Sequence, residues 1–284
     1  MKTSTSKRLR WNVAIWLAAG LFMTSAAGMA AGPIMPDPKA EARHQPQVEE
    51  TANGIPLVNI TAPSSGGVSR NEYETFNVPD KGAILNNSYT LSKTELAGYV
   101  QGNNNMAERP AKIIVNEVTG AGSTSMDGFL EVAGNRADVV IANPNGITVN
   151  GGGFINTGKA FLTTGKPVYD GEDHLQRFDI TGGDILIEGK GLGGKETGSL
   201  AILSRAVKIN AGIWAKDLHI TTGANTVDAK TLEASAIEGK GGRPAFALDT
   251  AAIGGMYAGR ITLVGTEKGL GVNNSGTWSA EDNL

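Results

Sequence analysis

Residues 139–156 read VVIANPNGITVNGGGFIN, and this stretch decides the fold. Two runs rich in Val and Ile flank a short cluster of Asn, Pro and Gly, and the stretch contains no charged residue. Pro144 fixes φ for a first turn position, while Asn145 and Gly146 tolerate left-handed backbone geometry. The stretch therefore predicts two strands joined by a sharply specified corner, and on these residues alone that corner is structural.

Short apolar runs of the same kind fill the chain from residue 51 onward. They are rich in Val, Ile and Leu and are separated by Gly, Asn, Asp or Thr, which predicts strands joined by turns. The stretch YTLSKTELAGYV (residues 89–100) comes nearest to a helical period, and Gly98 weakens it. The predicted strands are IPLVNI, AKIIVNEV, GFLEVAG, ADVVIAN, DILIEG, SLAIL, AVKIN, DLHITTG and RITLVG.

The second half of the chain repeats one short unit. GIWAKDLHITTG (residues 212–223) aligns with GMYAGRITLVG (residues 255–265), and GGDILIEGKG (residues 182–191) fits the same register of strand and turn. Stacked copies of a strand unit indicate a solenoid, although a sandwich or barrel also accommodates spaced short strands. We predict an all-β chain that forms a right-handed parallel β-helix with small extra-helical strands. A cap near residues 55–78 is expected because an open first coil would expose unpaired backbone.

The N-terminus reads as a secretory signal over residues 1–30. A basic head precedes an apolar run over residues 11–27, and small residues allow cleavage after Ala27 or Ala30. Residues 31–50 are rich in Pro and charge and predict a flexible lead-in. The remaining residues, 51–284, form the predicted β-helix domain.

Composition excludes several classes of partner and site. The net charge is −3 and charged residues make up 19% of the chain, without a basic stripe, so nucleic acid is not expected as a partner. The chain has no Cys, and its three His residues are scattered, so neither disulfides nor a zinc site are predicted. We expect no cofactor and no metal.

An enzyme is one alternative, because β-helices also carry polysaccharide-degrading sites. The stretch YDGEDHLQR (residues 169–177) places acid, base and cation close together. Its spacing fits no known catalytic or metal-binding loop, so a solvated turn of mixed charge is the preferred interpretation. The residues concerned are Asp170, Glu172, Asp173, His174 and Arg177.

A free-standing adhesin is the other alternative. Trp214, Tyr257 and Trp278 are either surface aromatics that bind carbohydrate or residues that pad the solenoid core. The sequence leaves both interpretations open.

Several motifs in order nevertheless resemble one family over residues 54–280, the two-partner secretion domain. This domain lies at the N-terminus of filamentous haemagglutinins, large haemolysins and contact-dependent growth-inhibition exoproteins. The motifs are GIPLVNITAPSSGGVSRNEYETFNVPDKGAILNNS (54–88), RPAKIIVNEVTG (109–120), GFLEVAGNRADVVIANPNGI (128–147), GGFINTGKAFLTTG (152–165) and AAIGGMYAGRITLVGTEKGLGVNNSGTWSA (251–280).

The resemblance implies a non-enzymatic secretion domain at the start of a longer exoprotein of a Gram-negative bacterium. Such a chain crosses the inner membrane through the general secretory machinery and reaches the periplasm. A dedicated outer-membrane β-barrel transporter then recognises it through periplasmic transport-associated domains, and the exoprotein is secreted or held at the cell surface. The C-terminal part would carry adhesion, haemolysis or growth inhibition and would meet a cell-surface receptor.

The resemblance also assigns two transporter-recognition motifs. The motif at residues 143–147 is unchanged here. The motif at residues 103–106 normally reads Asn-Pro-Asn-Leu and has lost its Pro. A Cys pair that many growth-inhibition members carry is replaced by Val149 and Gly152. The two motifs comprise Asn143, Pro144, Asn145, Gly146 and Ile147, and Asn103, Asn104, Asn105 and Met106.

Overall fold

The computed structural model describes residues 32–107 and 109–283. The signal peptide predicted for residues 1–30 lies outside them. Within the described residues the chain forms 27 strands and two short 3-10 helices. None of the helices in this part of the chain has the length and apolar character needed to cross a membrane.

The strands are numbered in chain order. The first nine are β1 Ile34–Pro36, β2 Gln47–Glu50, β3 Pro56–Asn59, β4 Val68–Phe76, β5 Ala83–Asn87, β6 Ser92–Thr94, β7 Gly98–Val100, β8 Ile113–Val118 and β9 Thr124–Met126. The next nine are β10 Phe129–Gly134, β11 Ala137–Ala142, β12 Ile147–Val149, β13 Gly152–Ile155, β14 Thr157–Thr163, β15 Lys166–Tyr169, β16 Leu175–Ile180, β17 Asp184–Ile187 and β18 Leu192–Gly194. The last nine are β19 Ser199–Ser204, β20 Ala206–Ile209, β21 Gly212–Thr222, β22 Asn225–Asp228, β23 Ala234–Ala236, β24 Phe246–Thr250, β25 Gly255–Gly265, β26 Gly271–Asn274 and β27 Thr277–Asn283. The 3-10 helices span Ala42–His44 and Asn104–Met106.

Three faces of parallel strands wind around one core, as the β-helix prediction requires. The first face contains β3, β5, β10, β13, β18, the N-terminal halves of β21 and β25, and β27. The second face contains β4, β8, β11, β14, β19 and the C-terminal halves of β21 and β25. The third face contains β9, β12, β17, β20, β24 and β26. The predicted fold class is confirmed.

Apolar side chains of successive coils stack in register inside the helix. On the second face Ile141 lies beside Leu162, Leu162 beside Ile202, and Ile202 beside Ile220. All four are fully buried in the main core. Since each coil covers the apolar edge of the previous one, burial of these rows stabilises the stack as a whole.

A four-stranded antiparallel sheet packs on the outer side of the second face. It is built from two insertions, β15–β16 and β22–β23, in the order β15-β16-β22-β23. Its Phe178 and Val227 form a second core with the outward-facing Val140 and Phe161. Burial on both sides explains why the apolar runs of β11 and β14 are continuous rather than alternating.

The stretch with the nearest helical period forms the hairpin β6–β7 instead. Ser92 pairs with Val100 and Thr94 with Gly98. Gly98 has a φ of 72°, and its carbonyl accepts a hydrogen bond from the Thr94 hydroxyl at 2.8 Å. The positive φ favours a turn over a continued helix.

The structure corrects two boundaries at the N-terminus. The described part of the predicted flexible lead-in contributes β1, which pairs antiparallel with β4, and β2, which pairs antiparallel with β3. These two strands cover the open edges of the first coil, so the cap begins before the predicted residues 55–78. Composition could not reveal this pairing because only the exposed edges of β3 and β4 create the need for it.

The repeat in the second half is confirmed for one pair of units and wrong for the third. β21 and β25 lie side by side, with Gly212 opposite Gly255 and Leu218 opposite Ile261. The unit GGDILIEGKG contributes β17, which belongs to the third face and pairs with β12 and β20. One short apolar run looks the same on any of the three faces, so the sequence alone could not assign it.

Candidate functional site

The corner Asn143–Ile147 links the second face to the third. The Asn143 carboxamide is fully buried and donates to the Gly122 carbonyl at 2.9 Å and to Thr124 Oγ1 at 3.0 Å. Its Oδ1 accepts the backbone N–H of Asn145 at 2.9 Å. Asn143 therefore fastens the corner to the neighbouring coil through Nδ2 and closes the turn itself through Oδ1.

Pro144 and Asn145 form the exposed tip of this corner. Asn145 Nδ2 donates to the Gly120 carbonyl at 2.8 Å. Gly146 has a φ of 109°, and a Cβ added there would lie 3.0 Å from the Asp184 carbonyl. The sequence NPNG thus supplies a buried anchor, an exposed tip and a glycine that closes the turn.

The second motif repeats this arrangement where the chain enters β8. The buried Asn103 donates through Nδ2 to the carbonyls of Ile60 and Asn86, each at 2.9 Å. Its Oδ1 accepts the N–H of Asn105 at 3.0 Å, and Asn105 Nδ2 donates to the Ile60 carbonyl at 3.1 Å. The motif keeps the Asn-anchored turn although its Pro is lost.

Burial divides the nine motif residues into two groups. Asn103, Met106, Asn143, Gly146 and Ile147 are buried, and Met106 and Ile147 belong to the main core. Asn104, Pro144 and Asn145 are exposed, and Asn105 is half-buried. The exposed group alone presents side chains that a partner can contact on the folded domain.

Sequence reasoning missed the segment that receives the first anchor. The loop between β8 and β9 presents the carbonyls of Gly120 and Gly122 to Asn145 and Asn143. Gly120 approaches β4 so closely that an added Cβ would lie 2.0 Å from the Glu74 carbonyl. Gly120 in TGAGS was the available signal, because the close approach of its backbone to β4 requires a glycine.

A partly buried charged cluster joins the cap, the second face and the extra-helical sheet. Arg70 Nη2 lies 2.9 Å from Glu72 Oε1 and 3.5 Å from Glu117 Oε2, and its guanidinium lies 4.4 Å from the ring centroid of Tyr169. His44 Nδ1 contacts Glu72 Oε1 at 3.0 Å. Burial raises the pKa of Glu117 to about 7 and lowers the pKa of His44. We call these five residues the Arg70 cluster.

The Asp170 stretch forms the tip of the β15–β16 hairpin. Asp170 Oδ1 accepts the N–H groups of Glu172 and His174, and these backbone hydrogen bonds lower the pKa of Asp170. Asp173 reaches back to Arg43 of the cap. Asp170 therefore closes the turn at the hairpin tip, and Asp173 attaches that tip to the cap. Among the residues that the structure describes, no group of three His, Asp or Glu side chains is arranged to hold a metal ion.

The three aromatic candidates separate into two environments. Trp278 packs against the main core, and its Nε1 donates to Thr250 Oγ1 at 3.1 Å. Trp214 and Tyr257 lie on the outer side of the first face, with nearly parallel rings whose centroids are 6.1 Å apart. Trp214 and Tyr257 line a surface groove.

The fold and the site define the class of this protein. It is a capped parallel β-helix, a solenoid domain with two asparagine-anchored turns whose tips are exposed. The family model described as the TPS secretion domain matches residues 33–284. The chain belongs to this family of two-partner secretion domains. The family is one of secretion domains and not of enzymes.

The chain is similar to parts of much longer proteins. It is 47% identical over 245 residues to "Toxin CdiA" of Yersinia pestis, covering 86% of this chain and 7% of that protein. It is 48% identical over 229 residues to "16S rRNA endonuclease CdiA" of Enterobacter cloacae, covering 80% of this chain and 7% of that protein. The chain thus spans less than a tenth of the length of these relatives.

A solved structure of a filamentous hemagglutinin secretion domain also matches. It superposes with a TM-score of 0.79 at 35% sequence identity, covering 88% of this chain and 84% of that one. The shared fold supports the assignment of the cap and the stacked coils to one secretion domain.

Proposed function

We propose that this domain directs a longer exoprotein to a dedicated outer-membrane transporter. Membership of the TPS secretion domain family is the observation that carries the proposal. The transporter would contact the domain through its periplasmic transport-associated domains. The small share of each relative that the chain covers supports a longer exoprotein. The signal peptide predicted for residues 1–30 supports a place for this domain at the N-terminal end of that exoprotein.

The exposed tips of the two asparagine turns are the proposed contact surface. Asn104 and Pro144 are exposed, and their side chains make no hydrogen bond within the described residues. Substitutions there therefore change the surface while leaving the buried anchors Asn103 and Asn143 in place. A rigid tip also loses little conformational freedom when a partner binds it.

The proposed route places the mature exoprotein outside a Gram-negative cell. Residues 1–30 would guide it through the general secretory machinery into the periplasm, and the transporter would pass it across the outer membrane. The rest of the exoprotein would act by adhesion, haemolysis or growth inhibition through a cell-surface receptor. The nuclease activities in the names of relatives belong to those whole proteins.

Export from cells with and without a coexpressed transporter tests the proposal. We expect transporter-dependent export, which the double variant Asn104→Ala/Pro144→Ala lowers at least tenfold while the free energy of unfolding stays within about 1 kcal/mol. The matched control is Asn135→Ala, an exposed asparagine in the turn between β10 and β11. Export that does not need a transporter contradicts the proposed function. Normal export of the double variant contradicts the role of the tips.

A further inference from the structure

One row of residues crosses the outer side of the first face at a single register position. Phe129 on β10 lies opposite Gly153 on β13, which lies opposite Gly193 on β18. Gly193 lies opposite Trp214 on β21, and Trp214 lies opposite Tyr257 on β25. At about 4.8 Å per strand, the row extends for about 19 Å along the helix axis. We call these five residues the aromatic row.

Each ring in the row rests on a glycine. A Cβ added to Gly153 would lie 2.4 Å from Phe129 Cε1, and one added to Gly212 would lie 2.4 Å from Trp214 Cη2. The ring of Tyr257 covers Gly255 in the same way, at 2.9 Å from its Cε2. Glycines let the rings lie against the backbone, where a larger residue would push them outward.

Phe129, Gly193, Trp214 and Tyr257 form the floor of three adjoining clefts, which share lining residues and together make one groove. A cleft of about 1120 Å³ beside the β6–β7 hairpin includes Phe129, and a smaller one of about 300 Å³ extends from Phe129 to Trp214. A third cleft of about 600 Å³ continues from Trp214 past Tyr257. Glu131 fastens the hairpin wall by accepting the N–H groups of Glu95 and Leu96 at 2.7 and 2.9 Å.

The rim of the groove is polar and carries both signs of charge. Beside Trp214 stand Lys195 and Lys216 together with Glu196 and Asp217. Alternating signs give no net attraction to a polyanion or a polycation. The same side chains offer donors and acceptors for hydroxyl groups.

The floor is the face of a sheet and not its edge. The backbone groups of β13, β18 and β21 are paired within the first face, so a peptide strand laid on this floor would leave its own backbone groups unpaired. A sugar chain meets the opposite conditions. Its rings have apolar C–H faces that pack on aromatic rings, and its hydroxyl groups point sideways to the rim.

We propose that the aromatic row binds a linear, neutral polysaccharide along the axis of the β-helix. Phe129, Trp214 and Tyr257 are the stacking platforms, and the gap over Gly193, between the Phe129 and Trp214 rings, accepts a sugar ring. The site is separate from the exposed tips of the two asparagine turns, because the row lies on the first face and the tips lie in turns between faces.

Affinity electrophoresis of the chain in gels that contain hydroxyethyl cellulose, xylan or galactomannan tests the proposal. We expect retardation by at least one of them, and at least tenfold weaker binding for Trp214→Ala and for Tyr257→Ala. The matched control is Phe246→Ala, an exposed phenylalanine on the third face beside Gly271. Equal weakening by the control overturns the site, as does the absence of retardation by all three polymers.

The variant Gly193→Leu tests the gap without removing any ring. An added Cβ at Gly193 would meet nothing closer than Phe129 Cζ at 3.7 Å, so a side chain can start there in ordinary van der Waals contact. We expect unfolding at the same or a higher denaturant concentration, together with loss of retardation. Full binding by this variant overturns the proposal. Stronger retardation in polygalacturonate than in the neutral polymers also overturns it.

Discussion

At the scale of the residue, one buried asparagine anchors each of the two turns through its side-chain hydrogen bonds. Asn143 and Asn103 each use one carboxamide to pair two groups of neighbouring segments and one N–H of their own turn. Buried polar atoms cost free energy unless they are paired, so each anchor stabilises its own turn by pairing these groups.

Replacement of Asn143 by Ala should destabilise the domain. The substitution leaves the Gly122 carbonyl and the Asn145 N–H without their partners, and we expect a loss of about 2–3 kcal/mol of unfolding free energy. Urea denaturation followed by circular dichroism measures it. The matched variant Asn104→Ala, at an exposed position, should stay within about 0.5 kcal/mol of the parent. Equal stability of the two variants would show that the anchor is dispensable.

At the scale of the element, the Arg70 cluster attaches the extra-helical sheet and the cap to the second face. Arg70 and Glu72 lie on β4, Glu117 on β8, Tyr169 on β15 and His44 in the 3-10 helix of the cap. Glu117 is buried, and among its neighbours Arg70 and Lys166 favour its charged form while Glu72 opposes it. Burial outweighs the attraction and raises its pKa.

Glu117 should make the stability depend on pH. Its pKa is about 7 in the folded domain and about 4.5 in the unfolded chain, so between these values the folded state binds more protons. Its contribution is therefore complete below about pH 4.5 and is lost as the pH rises to about 7, a change of about 3 kcal/mol.

The variant Glu117→Gln isolates this effect from the opposite one of His44, whose lowered pKa favours folding at higher pH. The unfolding free energy of the parent minus that of the variant should decrease as the pH rises from about 4.5 to about 7. Glu238→Gln, at an exposed position, is the control. A difference that is constant from pH 4 to pH 8 contradicts the prediction.

At the scale of the whole molecule, the β-helix is a stack whose first coil must be closed. β1 and β2 run antiparallel to the strands that they cover, so they end the stack rather than extend it. An uncovered edge would present free backbone groups to any other strand.

Deletion of residues 33–50 should therefore cause self-association. The edges of β3 and β4 become free, and we expect oligomers whose fraction grows with concentration in sedimentation velocity. As a control, residues 92–100 are replaced by a short Gly-Ser linker. This change removes the β6–β7 hairpin, whose strands pair only with each other within the described residues. A monomeric deletion variant would mean that the cap has no protective role.

The sequence by itself determined the apolar strands of the coils, the NPNG corner and the class of fold. Val, Ile and Leu runs such as ADVVIAN specify buried strands, and NPNG specifies its turn, because both depend on local preferences and on burial of nearby residues. The order of several motifs also indicated the family. Repetition of one unit in β21 and β25 indicated that coils stack.

Only the tertiary structure decided which residues of different coils become neighbours. Arg70 meets Tyr169, and Phe129 shares a row with Tyr257, because the length of every intervening coil and insertion sets the register between strands. This register depends on the combined length of all the intervening coils and insertions, and no local stretch of sequence encodes that length. The charged cluster and the aromatic row therefore appeared only when the coils were stacked.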